Sequence, residues 1–278
     1  MQVASIDFHD PRAPEAFTRS LRRTGFAVLT NHPVSAGRVN QVYAGWQSFF
    51  EGNGKEDYLF SSEHQDGYFP FGTENAKGAD TKDLKEFYHY YKWGRVPAEL
   101  ADPTAALYAD LEALAVQLLE WVELELPAEV TERFSEPLAN MIVNSTRTLL
   151  RTIYYPAISG TEEAGAIRAA AHEDINLITV LVGATEAGLE VQDLNGKWFP
   201  VPCDPGMIAV NTGDMLQMAS NGFLPSTTHR VVNPPEADSH RPRLSMPLFL
   251  HPRDDVLLEE GITASAYLDE RLREIGLK

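Results

Sequence analysis

Two histidines and an aspartate in the second half of the chain have the types and order of a metal site. His172 and Asp174 flank a single residue in AAHEDINLIT, and the run after them is apolar and strand-like. Side chains two apart on a strand share a face, so this pair would present an imidazole and a carboxylate together. His229, in STTHRVVNPP, lies in another strand-like run downstream. Two histidines and one carboxylate on neighbouring strands form a facial triad, which holds one face of Fe(II) and leaves the other open. A zinc site and no metal at all are the competing readings, although neither HExxH nor CxxC occurs. The HxD spacing also occurs at His64 and Asp66, but Gly67 follows and no strand pattern surrounds it. That second pair reads as a solvated loop.

Arg243 and Ser245 stand two apart in RLSMPLF, after His229, and would share a strand face. A guanidinium fork beside a hydroxyl suits a carboxylate, which accepts parallel charge-assisted hydrogen bonds. Arg133 and Ser135 repeat the spacing but precede His172. Only one set therefore runs HxD, distal His, RxS.

The elements that must position these residues fall in three zones. Residues 1–140 are mainly helical in pattern. PEAFTRSLRRTG is a short helix stopped by Gly25, FAVLTN a buried strand, and SAGRVNQVYAGWQSFF a helix with Val39, Val42, Tyr43, Trp46, Phe49 and Phe50 at helical spacing. TAALYADLEALAVQLLEWVELEL predicts the longest helix, while DGYFPFGTENAKGADTKDLKEFYHYY gives no clear period. Residues 141–255 are a series of short strands punctuated by Gly, Pro and Asn, the pattern of a sandwich or jelly roll. Asn195-Gly196 signals a hairpin there, and Pro247 predicts an edge position or a bulge. Residues 256–278 form a tail expected to carry an amphipathic helix, TASAYLDERLREIGLK. No linker separates the zones, so 1–278 reads as a single domain.

Composition narrows the partners. The 278 residues carry a formal net charge of -17, from 40 acidic and 23 basic side chains. That argues against a general binder of nucleic acid or of an anionic membrane surface, and leaves room for a local basic site for a small anion. One cysteine permits no intramolecular disulfide. With no signal-peptide pattern in MQVASIDFHD and no apolar run of membrane length, a cytoplasmic location is expected. Oligomeric state is left open.

These motifs, in this order, resemble those of the non-haem iron(II), 2-oxoglutarate-dependent oxygenases of the isopenicillin N synthase-like family. LRTIYYP is similar to the tyrosine-proline end of the strand before that family's iron site. GFAVLTNHPV, the long run from Gly188 to Pro235 and AYLDERLREIGL fit as well. Pro33 replaces a usual glycine, and Ile153 stands where plant members often carry asparagine. The resemblance implies a mixed α/β fold with a mainly β core, a double-stranded β-helix or jelly roll, flanked by N-terminal helices and a C-terminal helix. It implies His172, Asp174 and His229 as iron ligands. Arg243 and Ser245 would clamp the distal carboxylate of 2-oxoglutarate, with Tyr155 hydrogen-bonded to it.

Fe(II), 2-oxoglutarate and O2 are the implied cofactors, and the protein supplies orientation and shielding, with no side chain as general acid or base. The implied reaction oxidises a C–H bond of a small molecule by hydroxylation, desaturation or cyclisation, and converts 2-oxoglutarate to succinate and CO2. An amino acid, a small peptide or a natural-product intermediate would each serve as substrate. Phe249 and His251 would line the substrate pocket, against a core aromatic and a strand end. EFYHYY is a lid or core packing, Asp214 a turn residue, Arg168 a surface arginine or a contact to an acidic substrate, and Glu173 points away from the metal. Two alternatives stay open: an isopenicillin N synthase-type iron oxidase that does not use 2-oxoglutarate, and a non-catalytic jelly-roll binding protein.

Overall fold

The structure, a computed structural model, describes residues 2–61, 63–74 and 81–274. Residues 75–80 of the GTENAKGAD stretch and 275–278 of the tail helix lie outside the described residues. The N-terminal part forms β1 (Ser5–Asp7), α1 (Ala13–Thr24), β2 (Phe26–Thr30), α2 (Ala36–Glu51), β3 (Gly67–Phe69), β4 (Glu86–Tyr90), α3 (Ala98–Glu125), α4 (Ala128–Thr131) and α5 (Leu138–Met141). The central part forms β5 (Leu149–Tyr155), β6 (Ala169–His172), β7 (Ile178–Val182), β8 (Leu189–Gln192), β9 (Trp198–Pro200), β10 (Ile208–Thr212), α6 (Asp214–Ala219), β11 (His229–Val231) and β12 (Arg243–Leu250). A hairpin, β13 (Leu257–Glu259) and β14 (Ile262–Thr263), then leads into α7 (Ala264–Glu274).

An eight-stranded sheet runs β1-β2-β10-β7-β12-β5-β4-β3, and a four-stranded sheet runs β6-β11-β8-β9. Alternation assigns the two faces of the large sheet. Leu244, Met246, Leu248 and Leu250 of β12 join Ile178, Val180 and Val182 of β7 and Ile208 and Val210 of β10 in the main core. That core also holds Leu107, Leu111, Leu114 and Leu118 of α3. The opposite face meets the small sheet. There Phe26, Val28 and Ala209 pack on Val191 and Val201, and Phe87, Ile153 and Tyr155 pack on Ala169 and Val231. Strands covered on both faces lose the polar half of the period-2 pattern. The result is the jelly roll, with helices against its outer face.

Several local expectations hold. Gly25 ends α1 at a left-handed φ of 69°, and a Cβ there would come within 2.2 Å of Thr227 Oγ1. Asn195-Gly196 sits in the β8–β9 turn, with Gly196 at φ 80° and Asp193 Oδ1 accepting from the amides of Asn195 and Lys197.

Others need correction. The N-terminal part is less helical than its pattern predicts, because β1, β3 and β4 join β2 in the large sheet. These strands have three to five residues and pair mostly with distant ones, so no local period marks them. EFYHY is the buried strand β4, with Tyr91 half-buried just past its end, which answers the lid-or-core question in favour of packing. The tail helix, by contrast, falls where TASAYLDERLREIGLK predicts it, as α7, and the β13–β14 hairpin ahead of it is the unexpected part. Pro247 is neither at an edge nor in a bulge: β12 lies between β7 and β5 in unbroken register. Pairing with β5 lapses at Met246 and Pro247 and resumes at Leu248. The missing N–H removes one rung without displacing the strand.

Candidate active site

Antiparallel pairing of β11 with β6 sets His229 directly opposite His172, with ring centroids 4.4 Å apart. Asp174 arrives differently. It lies two residues past the end of β6, in the connection to β7, so strand alternation does not aim it. Its carbonyl accepts from the Asp214 amide at 2.7 Å, and the Gly213 amide donates to Leu177 O at 2.9 Å. A Cβ on Gly213 would meet Asn176 O at 2.1 Å, so only glycine lets these two backbones approach. Asp214 is therefore the buried first residue of α6 rather than a turn residue.

The three side chains present one ligand atom each within 4.8 Å of one another. Asp174 Oδ1 lies 3.7 Å from His229 Nε2 and 4.0 Å from His172 Nε2. Its other oxygen, Oδ2, accepts from Thr179 Oγ1 at 2.6 Å and Asn211 Nδ2 at 2.8 Å. His172 Nδ1 faces Ala170 O at 2.7 Å, and His229 Nδ1 faces Thr227 O at 3.1 Å. A carbonyl can only accept, so each Nδ1 carries the proton and each Nε2 offers a lone pair. Burial, then the His229 ring, pushes His172 down to about 4, which keeps it neutral near pH 7. Burial alone would raise the Asp174 carboxyl. His229, His172 and the hydrogen bonds from Asn211 and Thr179 outweigh it and hold Asp174 below the usual carboxylate range. Glu173 turns away and accepts from Thr228 Oγ1 at 2.7 Å.

Arg243 begins β12 and pairs in register with Tyr155, and Ser245 pairs with Ile153 on the same face. All four are buried. Arg243 Nε donates to Glu186 O at 2.9 Å, while its Nη1 is buried with no hydrogen-bond partner. Its guanidinium carbon stands 5.0 Å from the Tyr155 ring centroid. A buried cation with an unanswered donor suits an anionic ligand. Two imidazoles with their Nδ1 atoms tied to carbonyls, and one carboxylate, suit Fe(II). The residues present therefore fit both iron and a dicarboxylate cosubstrate.

Farther along the same face, Phe249 packs 5.5 Å from the Arg151 guanidinium, and burial pushes His251 down to about 4. Sequence reasoning missed the ionic cluster beside them. Lys85 bonds Glu74 and Asp83, each at 2.8 Å, and Arg151 reaches Glu74 at 3.1 Å and His89 Nε2 at 2.9 Å. Burial would raise the Glu74 carboxyl, but Arg151 and Lys85 hold it well below its ordinary value. Only the unusual density of charge in DTKDLKEFYHYY signalled this cluster. Thr179 and Asn211 were also missed, although each is a polar residue inside an apolar strand run.

The decoys separate cleanly. His64 is exposed, whereas Asp66 is 3% exposed and accepts from the Arg95 amide at 2.7 Å. Asp66 is a buried structural anchor, not part of a solvated loop. Ser135 donates to Leu257 O, away from the triad. Arg168 is not a surface arginine, because it is fully buried.

Comparison with known proteins agrees with this geometry. Residues 146–252 match the profile of the 2OG-Fe(II) oxygenase superfamily, and residues 5–106 match that of the non-haem dioxygenase in morphine synthesis N-terminal region. The proline hydroxylase buaE of Petromyces alliaceus is 30% identical, over 84% of this chain and 82% of its own. The chain belongs to the 2OG-Fe(II) oxygenase superfamily. Feruloyl CoA ortho-hydroxylase 1 of Arabidopsis thaliana is 26% identical over 92% of this chain and 71% of its own. A solved Shewanella oneidensis protein described as an oxygenase is 49% identical, with a TM-score of 0.91 over 100% of both chains. As a 2OG-Fe(II) oxygenase the protein is an oxidoreductase that uses Fe(II), 2-oxoglutarate and O2. No helix among the described residues is long and apolar enough to cross a membrane.

Proposed function

We propose that His172, Asp174 and His229 hold the iron, that Arg243, Ser245 and Tyr155 hold the distal carboxylate of 2-oxoglutarate, and that the enzyme hydroxylates a C–H bond of a small molecule. The observation that carries this is the pairing of a metal-competent triad, its ligand atoms within 4.8 Å of one another, with a buried, unanswered Arg243 donor on the facing sheet. Residues 1–278 are taken as one oxygenase domain, since strands β1 to β4 extend the same sheet as the jelly-roll strands. The names of the relatives, a proline hydroxylase and feruloyl CoA hydroxylases, favour hydroxylation over desaturation or ring closure.

Iron(II) and 2-oxoglutarate, when bound, supply the activation of O2 that oxidises the C–H bond, with succinate and CO2 as products. The chain's own contribution is placement. The hydrogen bonds at Nδ1 fix both imidazoles, and Thr179 and Asn211 fix the carboxylate. Arg243 and Ser245 fix the far end of the cosubstrate. Phe249 and His251 would border the substrate, and Arg151 with Glu74 would give that wall its polar character.

Anaerobic addition of Fe(II) and then 2-oxoglutarate should produce a weak visible charge-transfer band. Absence of that band, together with no succinate release in the presence of any candidate substrate, would falsify the reading. Arg243→Ala should raise the 2-oxoglutarate requirement far more than the iron requirement, measured by titrating each ligand separately.

A further inference from the structure

Arg168 stands just ahead of β6 and is fully excluded from solvent, at 0% exposure. Its amide donates to Asn233 Oδ1 at 3.0 Å, and Nη2 donates to Arg241 O at 3.0 Å. Those bonds account for only part of the side chain. Nε and Nη1 are buried with no hydrogen-bond partner, as is Nη1 of Arg243. Both guanidinium groups face the same aromatic ring: Arg168 Cζ lies 6.0 Å and Arg243 Cζ 5.0 Å from the Tyr155 centroid. Burial, and after it the charge of Arg243, lowers Arg168 to about 10. Arg168 still carries its proton at neutral pH, so the two groups are both cations.

Two buried cations beside one ring, with three nitrogens unanswered, are poorly compensated. Cation–π contact with the tyrosine offsets only part of the cost of excluding two cations from water. Glu186, a carboxylate whose charge reaches Arg168, is also close to Arg241, at 3.8 Å. An anion held between the two arginines would resolve the imbalance, and a carboxylate has enough lone-pair sites to accept from both.

We propose that Arg168 is a positioning and specificity residue for the cosubstrate: with Arg243 it makes a two-cation pocket for the distal carboxylate of 2-oxoglutarate, walled by Tyr155. This rests on the reading of Arg243 as the carboxylate clamp. A pocket with two cations discriminates strongly against 2-oxo acids that lack the second carboxylate. Arg168 also ties the turn at Arg241 to the start of β6, which couples the anion pocket to the strand that ends in His172.

The test uses the full chain loaded anaerobically with Fe(II) and titrated with 2-oxoglutarate or with 2-oxobutyrate, which has no distal carboxylate. Arg168→Met should weaken 2-oxoglutarate at least tenfold, leave 2-oxobutyrate and Fe(II) affinity within about twofold, and be partly rescued in Arg168→Lys. Unchanged 2-oxoglutarate affinity in Arg168→Met, or an equal loss for both 2-oxo acids, overturns the proposal. Arg243→Ala run in parallel separates the two readings. If it alone abolishes 2-oxoglutarate binding, the clamp stands and the role of Arg168 falls. If Arg168→Met does not fold, a crystal structure of the wild-type chain with Mn(II) and 2-oxoglutarate decides. A distal carboxylate oxygen within about 3.2 Å of an Arg168 nitrogen supports the proposal, and one beyond hydrogen-bond reach overturns it.

Discussion

Asp174 uses its two oxygens differently. Oδ1 faces the histidines, while Oδ2 is held by Thr179 and Asn211. Asp174→Ala should abolish iron binding and activity, measured by anaerobic Fe(II) titration and succinate release; persistent activity would show that the ligand set is wrong. The two donors on Oδ2 act through the aspartate. Removing such an orienting partner typically costs roughly 10–100-fold in metal affinity. Asn211→Ala or Thr179→Val should therefore weaken Fe(II) by about that factor while 2-oxoglutarate affinity, measured at saturating iron, stays near its wild-type value. The isosteric Thr179→Val isolates the hydroxyl, since it preserves the shape of the β7 face.

Elements, not residues alone, bring the triad together. β6 and β11 supply the histidines as a cross-strand pair, but the aspartate depends on how α6 docks under the β6–β7 connection. That docking needs a close backbone approach at Gly213, where an added Cβ would overlap Asn176 O. The backbone φ of Gly213 is -103°, so the constraint is steric contact and not a left-handed conformation. Gly213→Ala should destabilise the fold by on the order of 2 kcal/mol and lower the melting temperature by several degrees. It should also weaken Fe(II) binding, because the segment that must shift carries Asp174. A variant with unchanged melting temperature and iron affinity would refute the steric account.

At the scale of the whole molecule, the space between the sheets buries titratable groups as well as the site. Burial pushes His251 down to about 4, and burial and Arg151 push His89 well below its ordinary value. A histidine whose folded pKa lies below its unfolded pKa binds fewer protons when folded. Stability is then lost as pH falls through the unfolded value, near 6.5, toward the folded one. Glu74 acts in the same direction at lower pH: its depressed carboxyl stabilises the fold above its unfolded pKa and loses that contribution on acidification. Metal-free protein should melt at a lower temperature at pH 5 than at pH 7, with His251 contributing roughly 1–2 kcal/mol and His89 acting in the same direction. His251→Gln should flatten that pH dependence. An unchanged slope in a scanning-calorimetry series from pH 7 to pH 5 would show that His251 is not one of the groups responsible.

The sequence by itself determined the chemistry and its order. The HxD pair, the distal histidine and the RxS pair are local patterns, and strand periodicity places Arg243, Ser245 and Phe249 on one face without any tertiary information. The jelly-roll class, the Gly25 stop and the Asn195-Gly196 hairpin were legible for the same reason, because turn chemistry and alternation act over a few residues. Tertiary structure decided what depends on distant partners. Strands β1, β3 and β4 are too short to show a period and exist through pairing. Pro247 sits in an interior strand because its missing N–H removes a single rung. Asp66, Glu74, Lys85 and Arg168 look like surface charges in the sequence, yet each is buried or nearly so in the fold. Nothing in the sequence indicates that the Arg168 and Arg243 guanidinium groups face one tyrosine ring, since that juxtaposition arises only when the small sheet closes over the large one.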